Sequence, residues 1–402
     1  MINVSVLGYG TVGSGVFEIL KKNQNIIDKR TGKEIRVKYV LDLRDFPGDP
    51  VESVLTHDYA DIVNDKEVDI VVETMGGLHP AYEFVKQALE CGKHVCTSNK
   101  ALVAAYGPEL LTIAREKKVN FLFEASVGGG IPIIRPLQSS LSPEEVEGIS
   151  GILNGTTNYI LTKMTNEGSD FATVLKEAQE KGYAEANPEA DVEGYDACRK
   201  IAILTSLAYG KTVNYEEIYT EGITKITKAD IDYAKKLGAK IKIFGSSKCV
   251  DGKVSAMVAP VMIKEDHALF GVDDVFNGIL VKGNMVGELM FYGSGAGKLP
   301  TASAVVADII DAAMHLEENI PVFWEDEHLA LTPIDEVTNR FFVRVERTEG
   351  ICEQVKAAFG PVEEVDAGIE GEYAFITGEI TEGAYKDAAS KVEVLNKIRL
   401  EF

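Results

Sequence analysis

Residues 182–200, GYAEANPEADVEGYDACRK, place five carboxylates, a turn and one late lysine directly ahead of an apolar stretch, IAILTSLAYG. That stretch reads as a buried helix. Asp196 and Lys200 are four residues apart and would share one helix face. Glu185 comes from the preceding loop and can fold over that face. Two carboxylates and an ammonium converging at a loop-to-helix junction can hold a small zwitterion and move a proton. The alternative is a solvated helix start with an ordinary Asp–Lys pair. A second lysine, Lys100, stands at a strand end. A reaction that makes or breaks a hydroxyl O–H bond needs a partner that exchanges that proton. Lysine serves when burial or a neighbouring cation lowers its pKa, and two lysines in one pocket supply that neighbour. The plain alternative for each is a surface lysine. No histidine is as well placed: His79 and His94 fall among the N-terminal strands and helices, and His57, His267, His315 and His328 stand in no catalytic motif of the sequence.

The elements that must position these residues begin at the first strand. NVSVLGYGTVGSGVFEIL reads as an apolar strand, then Gly8-x-Gly10-x-x-Gly13, then an amphipathic helix, a dinucleotide fingerprint in its proper context. Gly8 allows the tight turn, Gly10 lets the backbone approach a pyrophosphate, and Gly13 lets the helix pack closely. The amides around Thr11 and Val12 would face the phosphates. Strands are expected at 37–41, 68–73, 94–97 and 120–124, with helices at 82–90 and 108–117 between them. This alternation predicts a doubly wound parallel sheet of Rossmann type. Ligands of such sheets lie beyond the carboxyl ends of the strands, which makes Thr74 to Gly77 and Ser98 to Lys100 candidates for the nicotinamide side. The second strand ends Leu41-Asp42-Leu43-Arg44-Asp45. A carboxylate there favours the ribose diol of NAD and an arginine the 2′-phosphate of NADP; Arg44 favours NADP. The spacing from Gly13 to Asp42 is longer than the roughly 20 residues usual for this motif.

After Glu124 the texture changes to ASVGGGIPIIRPL. Three consecutive glycines give an open backbone whose carbonyls are free to ligate something, or a hinge, or both. A strand at 147–153 leads to Asn154-Gly155-Thr156-Thr157-Asn158. Asn154 and Thr156 could grip an amino acid's carboxylate and ammonium, or equally form a turn and helix cap.

Composition narrows the class. Hydrophobic content of 45% and charged content of 26% are those of a globular protein. Sixty-three acids against 41 bases give a net charge of -22, which repels phosphate and argues against a nucleic-acid partner. No apolar run is long enough to span a membrane, and the opening MINVSVLGYG shows no basic n-region or apolar h-region. Five cysteines in a long chain argue against a disulfide framework and for the cytoplasm. Cys91, His94 and Cys96 lie close in sequence but lack a second ligand cluster at zinc spacing.

GYGTVGSG, NKALVA, EASVGGGIPII, NGTTNYIL, AQEKGYAEANPEADVEGYDACRK and GSGAGKLPTASAVVAD, in this order, resemble homoserine dehydrogenase from residue 1 to about 330. The resemblance implies NAD(P)-dependent interconversion of L-aspartate 4-semialdehyde and L-homoserine, on the route to threonine, isoleucine and methionine. It puts the proton donor at Lys200, with Lys100 in support, and gives Glu185 and Asp196 to homoserine. It places a monovalent cation, sodium, at Glu124, Val127, Gly129 and Ile131, largely through backbone carbonyls. Gly182 and Gly297 join Gly8, Gly10, Thr11, Val12, Gly13, Arg44, Thr74, Ser98 and Lys100 as cofactor contacts. The implied domains are 1–130, completed by about 298–325, for the dinucleotide; 131–297, an α+β catalytic and dimerisation domain; and 338–402. The last follows a β-α-β-β-α-β pattern, which resembles a ferredoxin-like ACT domain that would bind an amino-acid effector or serve only in dimerisation. A homodimer or homotetramer is expected. The acidic-to-neutral run Phe46-Pro47-Gly48-Asp49-Pro50 departs from the more basic run of many relatives and bears on the NADP preference. A non-catalytic amino-acid sensor, and another oxidoreductase acting on a small amino acid, are the competing readings. The first is opposed by the intact set Lys100, Glu185, Asp196 and Lys200, the second by NGTTN and GYAE.

Overall fold

A computed structural model describes residues 1–402. The chain forms two compact units, the first built from Met1–Glu144, Ile203–Asn214 and Gly293–Leu329. Its sheet runs Leu55–Thr56, Ile35–Leu41, Ile2–Leu7, Ile70–Glu73, His94–Thr97, Phe121–Leu122, with all neighbours parallel. Numbered along the chain, this is the order 3-2-1-4-5-6 of doubly wound dinucleotide folds, whose switch point lies between the first and fourth strands. The strands are apolar on both faces because helices cover both. On one face Val4, Val6, Val40, Ile70 and Val72 pack with Val16 and Leu20 of the helix Thr11–Lys22 and with Ala302, Val305 and Ile309 of the helix Lys298–Met314. The helix expected from Pro108 starts earlier and spans Lys100–Lys117, with Pro108 inside it. The Asn99 side chain accepts from Leu102 N and caps the new start.

The second unit comprises Glu145–Ala202, Tyr215–Tyr292 and Ala330–Phe402. It holds a mixed sheet in the order Gly287–Ser294, Phe276–Gly283, Val146–Ile152, Ala239–Val250, Lys253–Lys264, Val394–Leu400, Thr338–Glu346, Glu372–Thr377, Val362–Val365. One sheet therefore runs through the middle of the chain and its C-terminal residues, joined where Val261 and Met262 pair in parallel with Arg399 and Leu400. The C-terminal portion follows a strand, helix, strand, strand, helix, strand succession, interrupted by the two-residue strand Ile380–Thr381 before its second helix, and its four longer strands lie in the order 4-1-3-2 in their own numbering. Its core is Phe341, Val343, Val355, Phe375 and Tyr385. No helix is long and apolar enough to cross a membrane.

Candidate functional site

In the first unit the glycine turn is dictated by contact and conformation. Gly8 has φ +93°, and a Cβ on Gly13 would lie 1.9 Å from the Gly8 carbonyl oxygen. A Cβ on Gly10 would meet nothing, so that backbone is open to a ligand. The helix Thr11–Lys22 has no side-chain cap at Gly10, which leaves the first amides, at Thr11 and Val12, for an anion. Thr74 secures the turn, its hydroxyl donating to the carbonyls of Leu7 and Gly8, each at 3.0 Å.

Asp42 and Arg44 engage each other. Arg44 donates through Nε and Nη2 to the Asp42 carboxylate, each at 2.9 Å, and Tyr9 N donates to Asp42 at 2.8 Å. The Arg44 bonds hold Asp42 well below the usual carboxylate range. The guanidinium itself is exposed.

The two loops expected on the nicotinamide side are tied together by a residue that no sequence motif marks. Glu73, fully buried, accepts from Met75 N at 2.8 Å, Gly76 N at 3.2 Å and the Thr97 hydroxyl at 2.5 Å. Burial raises its pKa, and Thr97 and the loop amides oppose the rise. Asn99 closes the circuit by donating to Gly77 O at 2.6 Å. Ser98 and Lys100, both half-buried, follow from this frame, Ser98 N donating to Glu73 O at 3.3 Å.

The loop after Glu124 is equally constrained. The Glu124 carboxylate accepts from Ile133 N at 2.6 Å, Ile134 N at 2.8 Å and Arg135 N at 2.8 Å, so it serves the start of the short helix Ile134–Gln138. Asp308 receives Glu124 N at 2.9 Å and Arg135 at 2.6 Å. Full burial pushes the Asp308 carboxyl well above its ordinary range. Val127 and Ile131 are buried, and the carbonyls of Val127, Gly129 and Ile131 accept no hydrogen bond from the protein. Gly129, at φ +55°, lies so close to Gly295 that a Cβ would be 2.5 Å from its carbonyl. Gly297, at φ +108°, starts the helix Lys298–Met314. Cys91, His94 and Cys96 do not converge on a metal: Cys91 is exposed, Cys96 is buried, and no cluster of three or more such ligands occurs.

In the second unit the helix Tyr195–Tyr209 carries Asp196 and Lys200 on one face, as their spacing requires. Lys200, 9% exposed, donates to Asp196 at 2.7 Å and to Leu153 O at 2.7 Å. This is a buried pair, not the solvated one of the alternative reading. Asn154 forms the helix cap and also reaches two carboxylates. Its oxygen accepts from Thr157 N at 2.9 Å and caps the helix Gly155–Glu167. Its amide nitrogen donates to Asp196 at 2.9 Å and to Asp191 at 2.7 Å. Asp191, on the short helix Glu189–Val192, is thus a member of the cluster that motif reasoning did not single out; the acid-rich run was the available signal. The Thr156 hydroxyl donates to Tyr183 O at 2.6 Å. Glu185 is exposed, and its carboxylate bonds none of these residues. Gly182, at φ +73°, is exposed on the same loop.

The family described as homoserine dehydrogenase matches residues 132–310, and that described as homoserine dehydrogenase, NAD binding domain, matches residues 8–124. The homoserine dehydrogenase of Neisseria gonorrhoeae is 40% identical over 412 residues, covering 100% of this chain and 92% of its own length. That of Bacillus subtilis is 44% identical over 313 residues, covering 77% and 72%. A solved homoserine dehydrogenase from Thiobacillus denitrificans is similar with TM-score 0.92 and 38% identity, covering 100% of this chain and 98% of its own. A hyperthermophilic archaeal homoserine dehydrogenase in complex with NADPH gives TM-score 0.68 at 29% identity, covering 80% and 99%.

Proposed function

This chain belongs to the homoserine dehydrogenase family, and on that premise we propose how its residues divide the work. The enzyme interconverts L-homoserine and L-aspartate 4-semialdehyde with NAD(P), in the synthesis of threonine, isoleucine and methionine. The observation that carries the assignment of roles is the buried Lys200–Asp196 pair beneath Asn154.

When bound, a dinucleotide would provide the hydride donor or acceptor for the carbinol carbon. Lys200 exchanges the proton of the hydroxyl oxygen: it takes it from homoserine during oxidation and returns it to the alkoxide during reduction. Asp196 and Leu153 O hold the amine in place, so its aim does not depend on the substrate. Lys100 adds positive charge where the oxygen becomes anionic. Asn154, Thr156, Asp196 and Glu185 take the amino-acid end, the carboxylates facing the substrate ammonium. On the cofactor side, Gly8, Gly10 and Gly13 with the amides of Thr11 and Val12 receive the pyrophosphate, and the open space at Gly10 supports this. Thr74, Ser98, Lys100, Gly182 and Gly297 line the remainder. Arg44 meets the 2′-phosphate of NADP by leaving Asp42, whereas Asp42 would take the ribose diol of NAD. The exposed guanidinium supports preference for NADP.

The three carbonyls without donors at Val127, Gly129 and Ile131 suit a sodium ion, with Glu124 contributing its own carbonyl because its carboxylate is already committed. The C-terminal portion is proposed as an ACT-like module. A cavity of about 420 Å³ lined by Thr348, Ile351, Gln354 and Lys391, among others, is large enough for an amino-acid effector. Exposed Met290 and Tyr292 on the edge strand Gly287–Ser294 support homodimer formation through that strand, and a homotetramer would build on it. A cytoplasmic location accords with the free cysteines.

Initial rates of homoserine oxidation with NAD and with NADP, for the wild type and Lys200→Ala, test the reading. Lys200→Ala is expected to lose turnover by about 10² to 10⁴-fold while still binding dinucleotide. Near-wild-type turnover in that variant would remove Lys200 from the mechanism.

A further inference from the structure

Residues 219–230 connect the C-terminal portion to the substrate cluster, and ion pairs grip them at both ends, partly buried at the first and buried at the second. At the first end, Glu221 accepts from Lys397 Nζ at 2.8 Å, Arg399 Nη1 at 2.9 Å and the Tyr219 hydroxyl at 2.9 Å. Arg399 is 1% exposed and also forms a two-point pair with Glu382, at 2.5 and 2.9 Å. At the second end, fully buried Asp230 accepts from Arg344 Nε at 2.7 Å and Asn396 Nδ2 at 2.9 Å, while completing a capping box with Thr227. Asn396, Lys397 and Arg399 lie on the strand Val394–Leu400 and Arg344 on Thr338–Glu346, neighbouring strands of the C-terminal portion.

Between these anchors the chain lies hard against the substrate segment. Ile223 N donates to Val192 O at 2.8 Å, and the Thr224 hydroxyl donates to Glu193 at 3.0 Å. A Cβ on Gly222 would lie 2.2 Å from Val192 O and 2.5 Å from Glu193 Cα, so no slack exists there. Asp191 immediately precedes Val192, and its bond to Asn154 leads to Asp196 and Lys200. An ion network holds two segments together no more strongly than apolar packing does, because desolvation offsets much of its Coulomb gain; what it adds is a fixed geometry.

We propose that Glu221 is a positioning residue for the reaction: Lys397 and Arg399 hold it, it fixes residues 222–224 against Val192 and Glu193, and that contact sets Asp191, Asn154 and Asp196 around Lys200. The C-terminal portion thereby completes the substrate cluster without touching substrate. This rests on the assignment of Lys200 and Asp196 to homoserine.

The test is steady-state oxidation of homoserine by the full chain carrying Glu221→Gln, Glu221→Asp or Lys397→Met, with KM for homoserine and for dinucleotide determined separately. Glu221→Gln is expected to raise the homoserine KM about tenfold and leave the dinucleotide KM within about twofold, with Glu221→Asp recovering most of the loss. A residue that only stabilises the fold would reduce the amount of active enzyme and move neither KM. That result overturns the proposal, as does an equal rise in both constants. Should Glu221→Gln not fold, Lys397→Met leaves Arg399 and Tyr219 on Glu221 and carries the same comparison at about threefold; an unmoved homoserine KM there counts against the coupling. Lys200→Ala is assayed in parallel. Full activity in it sinks the underlying site assignment, whereas an inactive Lys200→Ala beside an unmoved KM in Glu221→Gln sinks only the coupling.

Discussion

Asn154 shows how one side chain can serve fold and chemistry through different atoms, its oxygen capping a helix and its nitrogen bridging Asp191 and Asp196. Asn154→Asp separates the two. Aspartate caps a helix as well as asparagine does, so the start of the helix Gly155–Glu167 should persist in the folded protein, while the crowded buried carboxylates lower the thermal midpoint. The two N–H donors are lost, and a third carboxylate enters beside two others. Hydrogen bonds to charged groups contribute about 1.5–3 kcal/mol each, so kcat/KM for homoserine should fall by about 10²-fold or more. Retained kcat/KM would show that the amide does not organise the carboxylates. The sequence supplied Asp196 and Lys200 because helical spacing is local information. Asp191 and Glu73 escaped because their partners are set by tertiary pairing. Glu73 meets Thr97 only because the strands Ile70–Glu73 and His94–Thr97 align in parallel register. Glu185 illustrates the reverse case, a motif residue whose loop leaves it exposed.

Among the elements, strands and helices marked by an apolar period were legible to within a few residues, as with the helix Ala81–Glu90 and the strand His94–Thr97. The helix Lys100–Lys117 was not, because Pro108 reads as a helix start although Asn99 caps the true one eight residues earlier. Packing between elements was less visible still. A Cβ on Gly15 would lie 2.8 Å from Ala302 Cβ and 2.9 Å from Lys298 O, so the helices Thr11–Lys22 and Lys298–Met314 approach at a glycine outside the fingerprint triplet. In an exposed helix Gly→Ala would stabilise by roughly 1 kcal/mol. Here Gly15→Ala must push apart two helices that cover the parallel sheet, and overpacking of that kind costs about 1–3 kcal/mol. Chemical denaturation should show a net loss, together with a higher dinucleotide KM. A gain in stability would mean that the helices can separate freely.

For the whole molecule, two acid-dependent effects oppose each other. The net charge of -22 at pH 7 repels itself, and the repulsion fades as pH falls toward the isoelectric point near 4.8. Stability should therefore rise from pH 7 to about 5, and this limb should flatten when salt screens the exposed charges. Below that range the buried pairs decide. Burial alone would raise the Glu221 carboxyl, but the charges of Lys397 and Arg399 outweigh it and bring it from 4.5 down to about 2. A carboxyl depressed in the folded state binds fewer protons folded than unfolded. Its contribution is thus fully present above pH 4.5 and is lost as pH falls from 4.5 toward 2. By linkage that contribution is on the order of a few kcal/mol. Thermal midpoints between pH 7 and 3 should accordingly pass through a maximum near pH 5. Choline chloride, which cannot fill a sodium site, should flatten the upper limb and spare the lower, because buried pairs are poorly screened. Glu221→Gln should make the lower limb shallower and leave the upper one unchanged. If salt removes both limbs alike, or if Glu221→Gln retains the wild-type slope below pH 4.5, then Glu221 is solvated in solution and its grip on residues 222–224 is lost with it.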